Sequence, residues 1–457
     1  MAEKKQIVEN PAFTAQKPKY KRDSDLCEGG DAIEKDKSYL PKHAYESPQQ
    51  YDVRLSLATY KNHAAPIVTV FTSSVWRNPP ERELPSALDP LKANVDKLGT
   101  SANSFFRRSG EDAAKVGLTF VHVEQDFVPK EENRNLSDSQ RAGMRPYFIK
   151  IPALKVPDWG YDSDGLVYLV VDESSTKKTD AFREAETTTQ YRIWDRKGWT
   201  LWKKGDDGNL EFEKNGTHKC GEVPIRPHYF RKKAEMIGES AIADVASLMT
   251  RAYQMENALD KALFDTAFPF MEFIGFATDD IDGLVKSSST FVATENTDAR
   301  VGYVEPTGVA FEALDTKVKS DEQSIREIAL RMYKTDSKVG ESYDAKKLDR
   351  QQLDSQLSIF SQGSEDLEVW CWNMALKWLG EESKSGEIKI EYNQDFDIEQ
   401  ASSDLIKSLA ELVTLRILSK QTTLEILEEQ DTMPTGWTAV DEDARLKAES
   451  GRYGDDF

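Results

Sequence analysis

The feature that most constrains this chain is a run of 29 residues, 240–268, that contains neither glycine nor proline. Apolar residues return along it at steps of three and four, as at Ile242, Val245 and Met249. This period predicts an amphipathic α-helix, which at 1.5 Å per residue would be ~43 Å long. Pro269 ends the run because proline cannot continue a helix. One very long helix must therefore sit in the second half of the fold.

The segments after this helix form an unusual order of elements. The polar stretch 334–347 contains Gly340 and has no apolar stripe, so it is predicted to be a loop. Gly363, in the middle of the next helical segment, is expected to weaken or bend that helix. The predicted order is strands and turns at 269–310, a helix at 311–333, the loop at 334–347, a helix at 348–379, a strand at 388–392, and helices at 398–418 and 422–429.

The first half of the chain alternates helical and extended patterns. Ser47 followed by Pro48 predicts a helix start, Pro66 is expected to interrupt that helix, and a second helical region is predicted for 98–120. Between 147 and 213 the apolar period is two, which predicts short strands in an antiparallel meander. Trp194, Trp199 and Trp202 are predicted to form a sheet face packed against helices, with stacking on nucleic-acid bases as the alternative. The fold class is therefore α+β and mainly helical.

Charge limits the functions open to this chain. It has 60 Lys and Arg against 80 Asp and Glu, a formal charge of −20, and residues 381–457 hold 19 acids and 8 bases. A protein that grips nucleic acid through phosphates should instead be basic. The first 22 residues carry six bases and two acids, and 1–37 is predicted to be a flexible arm that is either solvated or docked on an acidic neighbour. No apolar run reaches the ~18–20 residues of a membrane span, and no secretory signal is expected.

Motifs that would carry chemistry are incomplete. The glycine spacing of 216–221 is that of a phosphate loop, but Glu222 stands where lysine is needed. Asp162 and Asp164 resemble part of a calcium loop that lacks its other oxygen ligands. His218 and Cys220 have no second ligand pair at zinc spacing. We therefore expect no catalytic residues, no metal site, no cofactor and no enzymatic activity.

Short motifs over some 400 residues carry a family resemblance. At the N-terminal side these are 39–43 (YLPKH), Glu46-Ser47, Tyr51-x-x-Arg54, Ala58-x-Tyr60-x-Asn62 and 78–80 (NPP); at the C-terminal side they are 388–392 (IKIEY), Asp395-x-Asp397 and 417–424 (ILSKQTTL). In these motifs and in the order of its elements, the chain resembles the portal proteins of tailed bacteriophages, the head-to-tail connectors. Residues 87–145 match nothing in that family firmly.

The resemblance implies a ring, usually of twelve subunits, at one vertex of the capsid, through which double-stranded DNA is packaged and ejected. It also implies partners: the terminase large subunit, a neck or adaptor protein, the major capsid protein and a scaffolding protein, in a virion assembled in the host cytoplasm without a membrane. The implied parts are an N-terminal arm at 1–37, a wing at 38–239, stem helices at 240–268 and 311–333, a clip at 269–310, a tunnel loop at 334–347, a long bent wing helix and wing strand at 348–400, and a crown with an acidic end at 401–457.

The same resemblance assigns roles to individual residues. DNA-facing cations are expected at Lys334, Lys338, Lys346, Lys347 and Arg331, with Lys338 preferred. Arg326 is instead expected to pair with Glu322, while Arg331 is open to either role. Acids of the clip that would dock the motor or adaptor are Asp279, Asp280, Asp282, Glu295 and Asp298. Apolar residues of the stem that would pack between subunits are Ile242, Val245, Met249, Leu259, Leu314, Val318, Ile325 and Ile328.

Two other classes stay open at this point. One is another virion assembly component, a scaffold or a neck adaptor, although a scaffold should lack the strand-rich middle and an adaptor is normally shorter. The other is a metal-dependent nucleic-acid enzyme, which would need clustered carboxylates that bind a divalent cation.

Overall fold

A computed structural model describes most of the chain. The described residues are 5–125, 145–178, 182, 184–205, 207–267, 270–276, 296–304, 309–330, 343–394, 396, 409, 412–413, 418–429, 438, 440 and 442–445. For 265, 267, 270–271, 303–304, 309–310, 329–330 and 343–354 the description covers the backbone only. The chain divides into two compact units, Met1–Gln394 and Asp395–Phe457.

The described helices include the three long helices expected in the second half of the chain, in the expected order. In chain order they are α1 (Pro11–Glu28), α2 (Asp31–Glu34), α3 (Pro48–Leu57), α4 (Ala64–Val75), α5 (Asp89–Lys92), α6 (Ala102–Val116), α7 (Ala246–Ala267), α8 (Val309–Leu330), α9 (Tyr343–Leu379) and, in the second unit, α10 (Lys420–Glu429). Short 3-10 turns lie at Ser86–Leu88, Ala153–Lys155 and Glu382–Glu387. None of the described helices is long and apolar enough to cross a membrane.

The strands are short and antiparallel throughout. They are β1 (Glu81–Glu83), β2 (Leu118–Gln125), β3 (Pro146–Pro152), β4 (Asp158–Asp162), β5 (Gly165–Asp172), β6 (Ser175–Lys177), β7 (Glu186–Thr188), β8 (Gln190–Asp195), β9 (Gly198–Lys204), β10 (Leu210–Thr217), β11 (Ile225–Tyr229), β12 (Arg231–Ala234), β13 (Ile237–Glu239), β14 (Phe270–Ile274), β15 (Arg300–Val304) and β16 (Lys389–Glu391).

The predicted meander is confirmed from β5 onward, in a five-stranded sheet of order β10-β9-β8-β5-β4, whereas the first predicted strand, β3, pairs with β2 in another sheet. In the β8–β9 turn the Asp195 carboxylate accepts hydrogen bonds from the backbone N–H groups of Lys197 and Gly198. This register places Trp194 opposite Trp199, and both side chains are buried. The tryptophans of this pair therefore belong to the core, as expected, and do not offer their faces to bases.

A three-stranded sheet, β11-β2-β3, forms the second layer. The six residues from Leu118 to Val123 in β2 are all buried because α6 and α9 pack on this sheet. The helix predicted for 98–120 is therefore too long. It ends at Gly117, whose φ of 103° is left-handed. A Cβ at this position would also lie 2.6 Å from the backbone of Gly238, so only glycine fits.

The prediction of a flexible N-terminal arm is wrong, because residues 11–28 form helix α1. Asn10 caps the helix by accepting a hydrogen bond from the Ala12 N–H, and Pro11 occupies its first turn. Phe13, Tyr20 and Leu26 are buried in the body of the protein. The bases of this segment are used within the chain, for example in the ion pairs Lys17–Glu9, Lys21–Asp25 and Arg22–Asp23.

A buried carboxylate joins distant parts of the first unit. Strand β1 pairs with β16, and Arg82 of β1 donates to both oxygens of Glu368 on α9, at 2.5 and 3.0 Å. The Trp372 indole and the Tyr392 hydroxyl donate to the same carboxylate at 2.9 and 2.6 Å. Glu368 is fully buried, so these four hydrogen bonds compensate its desolvation.

Two helix boundaries differ from the predictions. Residues 241–245 form turns, so α7 begins at Ala246 rather than at 240. Helix α9 begins at Tyr343 rather than at 348 and continues past Gly363 to Leu379. The predicted loop 334–347 is thus helical over its last five residues. The predicted helix at 398–418 lies almost wholly outside the described residues.

The burial of α1 gives a test of its role in the core. Replacing Phe13 with alanine removes a buried aromatic ring and should lower the free energy of unfolding by about 3–5 kcal/mol. Urea unfolding followed by circular dichroism measures this change. Lys19→Ala, on the exposed side of the same helix, is the control and should change the free energy by less than about 0.5 kcal/mol. Equal stability of the Phe13→Ala protein would contradict a core role for α1.

Candidate assembly site

Helices α7 and α8 form an antiparallel pair connected through the β14–β15 hairpin. Each helix has 22 residues, a length of about 33 Å at 1.5 Å per residue. Arg251 of α7 holds Asp321 of α8 by two hydrogen bonds, Nε to Oδ2 at 2.9 Å and Nη2 to Oδ1 at 2.7 Å. This bidentate contact fixes the register of the two helices.

Asp321 is the electrostatic centre of the helix pair. Its side chain is 2% exposed, and Lys317, one turn earlier on α8, also donates to it at 2.8 Å. Burial alone would raise the pKa of Asp321, but the hydrogen bonds from Arg251 and Lys317 outweigh it, so the pKa lies below its ordinary value. The carboxylate is therefore ionised and bound on two sides.

A lysine from the N-terminal part of the chain bridges the same two helices. The Lys61 ammonium pairs with Glu256 of α7 and, at 3.2 Å, with Glu322 of α8. Next to it the Tyr60 ring packs edge-on against Tyr253 of α7, with the ring centroids 5.8 Å apart. We call the rest of the first unit, outside α7, α8 and the hairpin, the body. The base of the helix pair is thus held to the body by both ion pairs and aromatic packing.

The side chains of the helix pair become less buried with distance from the body. Near the body, Met249, Tyr253, Val318 and Ile325 are buried within the chain. Among the described side chains of 259–267 and 309–314, at the far end, none is buried. The apolar residues there are exposed instead, with Leu263 at 49% and Phe264 at 41%.

The hairpin also exposes apolar residues. Phe270 of β14 pairs with Val304 of β15, and Ile274 pairs with Arg300. Ile274 is 52% exposed and Val301 is 47% exposed. We call the exposed apolar residues Leu263, Phe264, Ile274 and Val301 the distal apolar surface.

The residues predicted to pack between subunits divide into two groups. Ile242, Val245, Met249, Val318 and Ile325 are all buried in the core of their own chain, so an intersubunit role for these five is a correction. They lie at the base of the pair, where the body already covers the apolar stripe. Leu259 and Leu314 are half-buried and Ile328 is 41% exposed, so these three keep surface for a partner.

The predicted DNA-facing residues fall largely outside the description. Lys334, Lys338 and Arg331 lie outside the described residues, while Lys346 and Lys347 belong to α9 with only their backbone described. The pairing of Arg326 with Glu322 is confirmed, at 3.7 Å. Of the acids predicted to dock a motor or adaptor, Asp279, Asp280, Asp282 and Glu295 are also outside the described residues, and Asp298 is exposed beside the hairpin.

A serine–histidine contact is the nearest approach to catalytic geometry in the described part of the chain. His228 lies between Ser109 and Ser364, 2.9 Å from each hydroxyl. Ser364 donates to the Phe360 carbonyl, so its oxygen accepts from His228 Nε2, and Nδ1 accepts from Ser109. Burial lowers the pKa of His228 to about 3, and all three side chains are buried. No substrate can reach this pair, so the contact joins α6, β11 and α9 instead.

No metal centre is visible within the ranges that the structure describes. No group of three or more His, Cys, Asp or Glu side chains there is arranged to hold an ion. Asp162 of the incomplete calcium loop forms an ion pair with Arg196 at 2.6 Å. His218 Nε2 donates to the Asp195 carbonyl oxygen at 2.9 Å, and the ring packs near Trp194 and Trp378, so this histidine has a structural environment.

Comparison with known proteins gives a partial match. The model of a domain of unknown function, DUF4055, matches residues 241–379, which run from the turn before α7 to the end of α9. No curated protein matches the chain.

Three solved structures are similar to the chain at low identity. They are a chain from the neck of an empty GTA particle computed with C6 symmetry, with 10% identity and a TM-score of 0.40; a chain from the neck of a native GTA particle computed with C12 symmetry, with 10% and 0.38; and a chain from the virion of a native gene transfer agent particle, with 11% and 0.40. Each match covers 87% of this chain and 97% of the other.

The buried carboxylate of the helix pair can be tested directly. Asp321→Asn keeps the shape but removes the charge that holds Arg251 and Lys317, and it should weaken the pair by about 2 kcal/mol. Hydrogen exchange of the α7 and α8 amides should then be roughly thirtyfold faster. The loss should shrink below about pH 4, because the carboxylate stabilises the fold only above its ordinary pKa and loses that effect as the pH falls through its lowered folded value.

Asp315→Asn is the matched control for this substitution. Asp315 pairs with Lys319 on the same helix at 2.6 Å, but both side chains are well exposed. Such a surface pair contributes about 0.2–1 kcal/mol, so exchange should change less than about fivefold. Equal effects of the two substitutions would show that Asp321 does not organise the pair.

Proposed function

We propose that this chain is a subunit of a portal ring, a non-enzymatic conduit for double-stranded DNA at one vertex of a phage-like particle. The observation that carries the proposal is the helix pair α7–α8, whose base is buried in the body while its far end and hairpin expose the distal apolar surface. The sequence resemblance to portal proteins supports it, since the helix, hairpin, returning helix and long helix follow one another in the order found in that family.

The exposed apolar end of the helix pair would be stabilised by another chain that covers it. Leu263, Ile274 and Val301 are each about half exposed on elements that have no further layer in the described part of the chain. Burying apolar side chains contributes roughly 25 cal/mol per Å². A surface repeated on identical elongated projections is buried when copies stand side by side, and closed rings are the usual outcome of such head-to-tail contacts.

The negative net charge of the chain favours a conduit for DNA over a protein that binds DNA tightly through its phosphates. At −20 per copy, a ring would surround DNA with a mainly repulsive field, so the polymer would slide without strong phosphate contacts. A few cations would suffice to centre it. Lys338 is the residue we assign to this role, with Lys334, Lys346, Lys347 and Arg331 beside it in sequence. The exposed Asp298 and its acidic neighbours in the clip would dock the packaging motor first and the neck adaptor later.

Negative-stain electron microscopy of the purified full chain tests this function. Axial views should show a closed ring with a central hole, with about twelve copies as the family resemblance suggests. Leu263→Asp, at an exposed position, should leave circular dichroism unchanged but prevent ring formation, because it would bury an unpaired charge between copies. Glu312→Gln, an exposed change on α8, is the control and should form rings. A chain that stays a single particle, or forms solid particles without a hole, would overturn the proposal.

The role of the predicted loop cation is tested separately. Lys338→Glu should allow normal rings but impair DNA packaging or retention, because it places a repulsive charge where DNA would be centred. Packaged DNA per assembled particle is the measurement, and Lys219→Glu, at an exposed position of the first unit, is a charge-matched control. Packaging at the normal level in the Lys338→Glu particles would remove this residue from the conduit.

A further inference from the structure

The five-stranded sheet is open, and its two outermost strands are β10 and β4. An edge strand carries backbone N–H and C=O groups that no neighbouring strand of its sheet binds. Residues 5–10, which we call the N-terminal strap, precede helix α1 and bind backbone groups on both of these edges. One short segment therefore joins two strands that lie on opposite sides of the sheet.

The strap begins at the outer edge of β10. The Leu210 N–H donates to the Lys5 carbonyl at 3.0 Å. Leu210 lies opposite Lys204 of β9, and the Lys204 N–H donates to the Thr189 carbonyl on the far side, at 2.9 Å. In such a pair of an antiparallel ladder both residues direct their backbone groups away from each other. The Lys5 carbonyl thus occupies the position that a sixth strand would take.

The strap ends at the outer edge of β4. The Asn10 N–H donates to the Pro157 carbonyl at 2.9 Å, and the Asn10 side-chain amide donates to the Trp159 carbonyl at 3.3 Å. The side-chain oxygen of Asn10 also accepts from the Ala12 N–H and caps α1. Asn10 is therefore fixed both to the sheet edge and to the first turn of the helix.

The distance between the two edges determines the shape of the strap. Four strand spacings of ~4.8 Å separate β10 from β4, which is ~19 Å. Six fully extended residues span about 18 Å between their first and last Cα atoms. The strap must therefore be almost fully extended, and the backbone of Asn10 is extended, with φ −59° and ψ 132°.

The Lys5 side chain adds a second contact at the β10 end. Its ammonium lies 4.9 Å from the centre of the Trp202 ring. Trp202 is on the outer face of the sheet, since Trp199 and Leu201 of the same strand belong to the core. The Phe212 ring packs edge-on against Trp202, with the centroids 5.9 Å apart, and is 53% exposed. The strap therefore covers part of an aromatic pair.

The middle of the strap is held less firmly than its ends. Val8 is 79% exposed and Ile7 is half-buried. Glu9 pairs with Lys17 of α1 at 2.5 Å, but the two side chains are 36% and 50% exposed. A surface pair of this kind contributes little to stability. The strap can therefore leave the sheet without unfolding it.

We propose that the N-terminal strap is a releasable latch of the five-stranded sheet. In the closed state Lys5 binds the edge of β10 and covers Trp202. In the open state the strap turns about Asn10, leaves α1 in place, and uncovers the aromatic pair and the start of the β10 edge. The latch thereby controls whether this part of the edge is available for pairing. This inference does not depend on the proposed ring.

Residue-resolved hydrogen exchange of the full chain tests the latch. The Leu210 amide, which donates to the strap, should exchange at least tenfold faster than the Lys204 amide, which is bonded within the sheet. The Asn10 amide, at the hinge, should exchange more slowly than that of Leu210. Equal rates at Leu210 and Lys204 would show that the strap leaves only when the sheet unfolds, and an unprotected Leu210 amide would show that the strap is not closed. Either result would overturn the inference.

Substitution of Lys5 tests the closing contact. Lys5→Ala should speed exchange at Leu210 by about two- to fivefold, because the contact with Trp202 is lost while the backbone hydrogen bond can still form. The Asn10 amide should stay within about twofold of its original rate. Gln6→Ala, at an exposed position of the strap, is the matched control and should change neither amide. An unchanged rate at Leu210 in the Lys5→Ala protein would contradict a latch closed by this residue.

Removal of the strap gives a second readout. A chain that lacks residues 2–9 should lose the protection of the Leu210 amide, while the Lys204 amide should stay protected because its acceptor lies within the sheet. Protection of Leu210 that survives the deletion would show that the strap does not hold this edge. Loss of protection at Lys204 as well would show that the strap is an integral part of the sheet. Both outcomes would overturn the latch and leave the proposed function untouched.

Discussion

The first unit depends on one buried carboxylate. Glu368 sits in the middle of α9 and accepts from Arg82, Trp372 and Tyr392, with no exposure to solvent. It thereby connects Arg82 of β1 with Tyr392, which follows β16. Arg82 also lies opposite Ile390, 308 residues later, in the pairing of β1 with β16. Together with the hydrogen bonds of α9 to His228, Glu222 and the Val123 carbonyl, this anchor fixes the rotation of the long helix. Apolar contacts alone are non-directional and would leave that rotation poorly defined.

The body and the helix pair solve the problem of apolar burial differently. In the body two sheets and several helices enclose Trp194, Trp372, Phe106 and Phe120 almost completely, so its core is satisfied within one copy. In the helix pair only the base is enclosed, and Arg251, Asp321 and Lys61 supply the directional contacts that keep the two helices in register. A projection that is rigid at its base and apolar at its tip is suited to being completed by identical neighbours.

Much of this architecture could be predicted from sequence because it rests on local periodicity. The three- and four-residue steps of α7 and α8 and the two-residue period of β8 and β9 are strong signals, and the structure differs from them mainly at element ends. The sequence pattern does not reveal helix α1, and the reason is physical. Its buried apolar residues Phe13, Tyr20 and Leu26 are about two turns apart, so the apolar stripe is too sparse to stand out against the four bases of this helix. The Asn10-Pro11 start was the one local signal that could have found it.

The polar contacts that position the candidate site could not be predicted in this way. Arg251 and Asp321 are 70 residues apart, and Arg82 and Glu368 are 286 apart, so nothing in the sequence pattern links them. Glu46 and Arg54 can be recognised as motif residues in the sequence, but only the structure shows that they form a buried ion pair.

Charge explains why such specific contacts matter for the proposed ring. Copies that each carry −20 repel one another at long range, and this repulsion grows as more copies join. At physiological ionic strength the field is screened beyond ~8 Å, so attraction must come from groups in contact. Half-exposed apolar residues at the tip of the helix pair can supply the attraction, and they are not selective by themselves. Selectivity for the correct neighbour would then come from short-range polar geometry, in which each donor and acceptor must meet its partner.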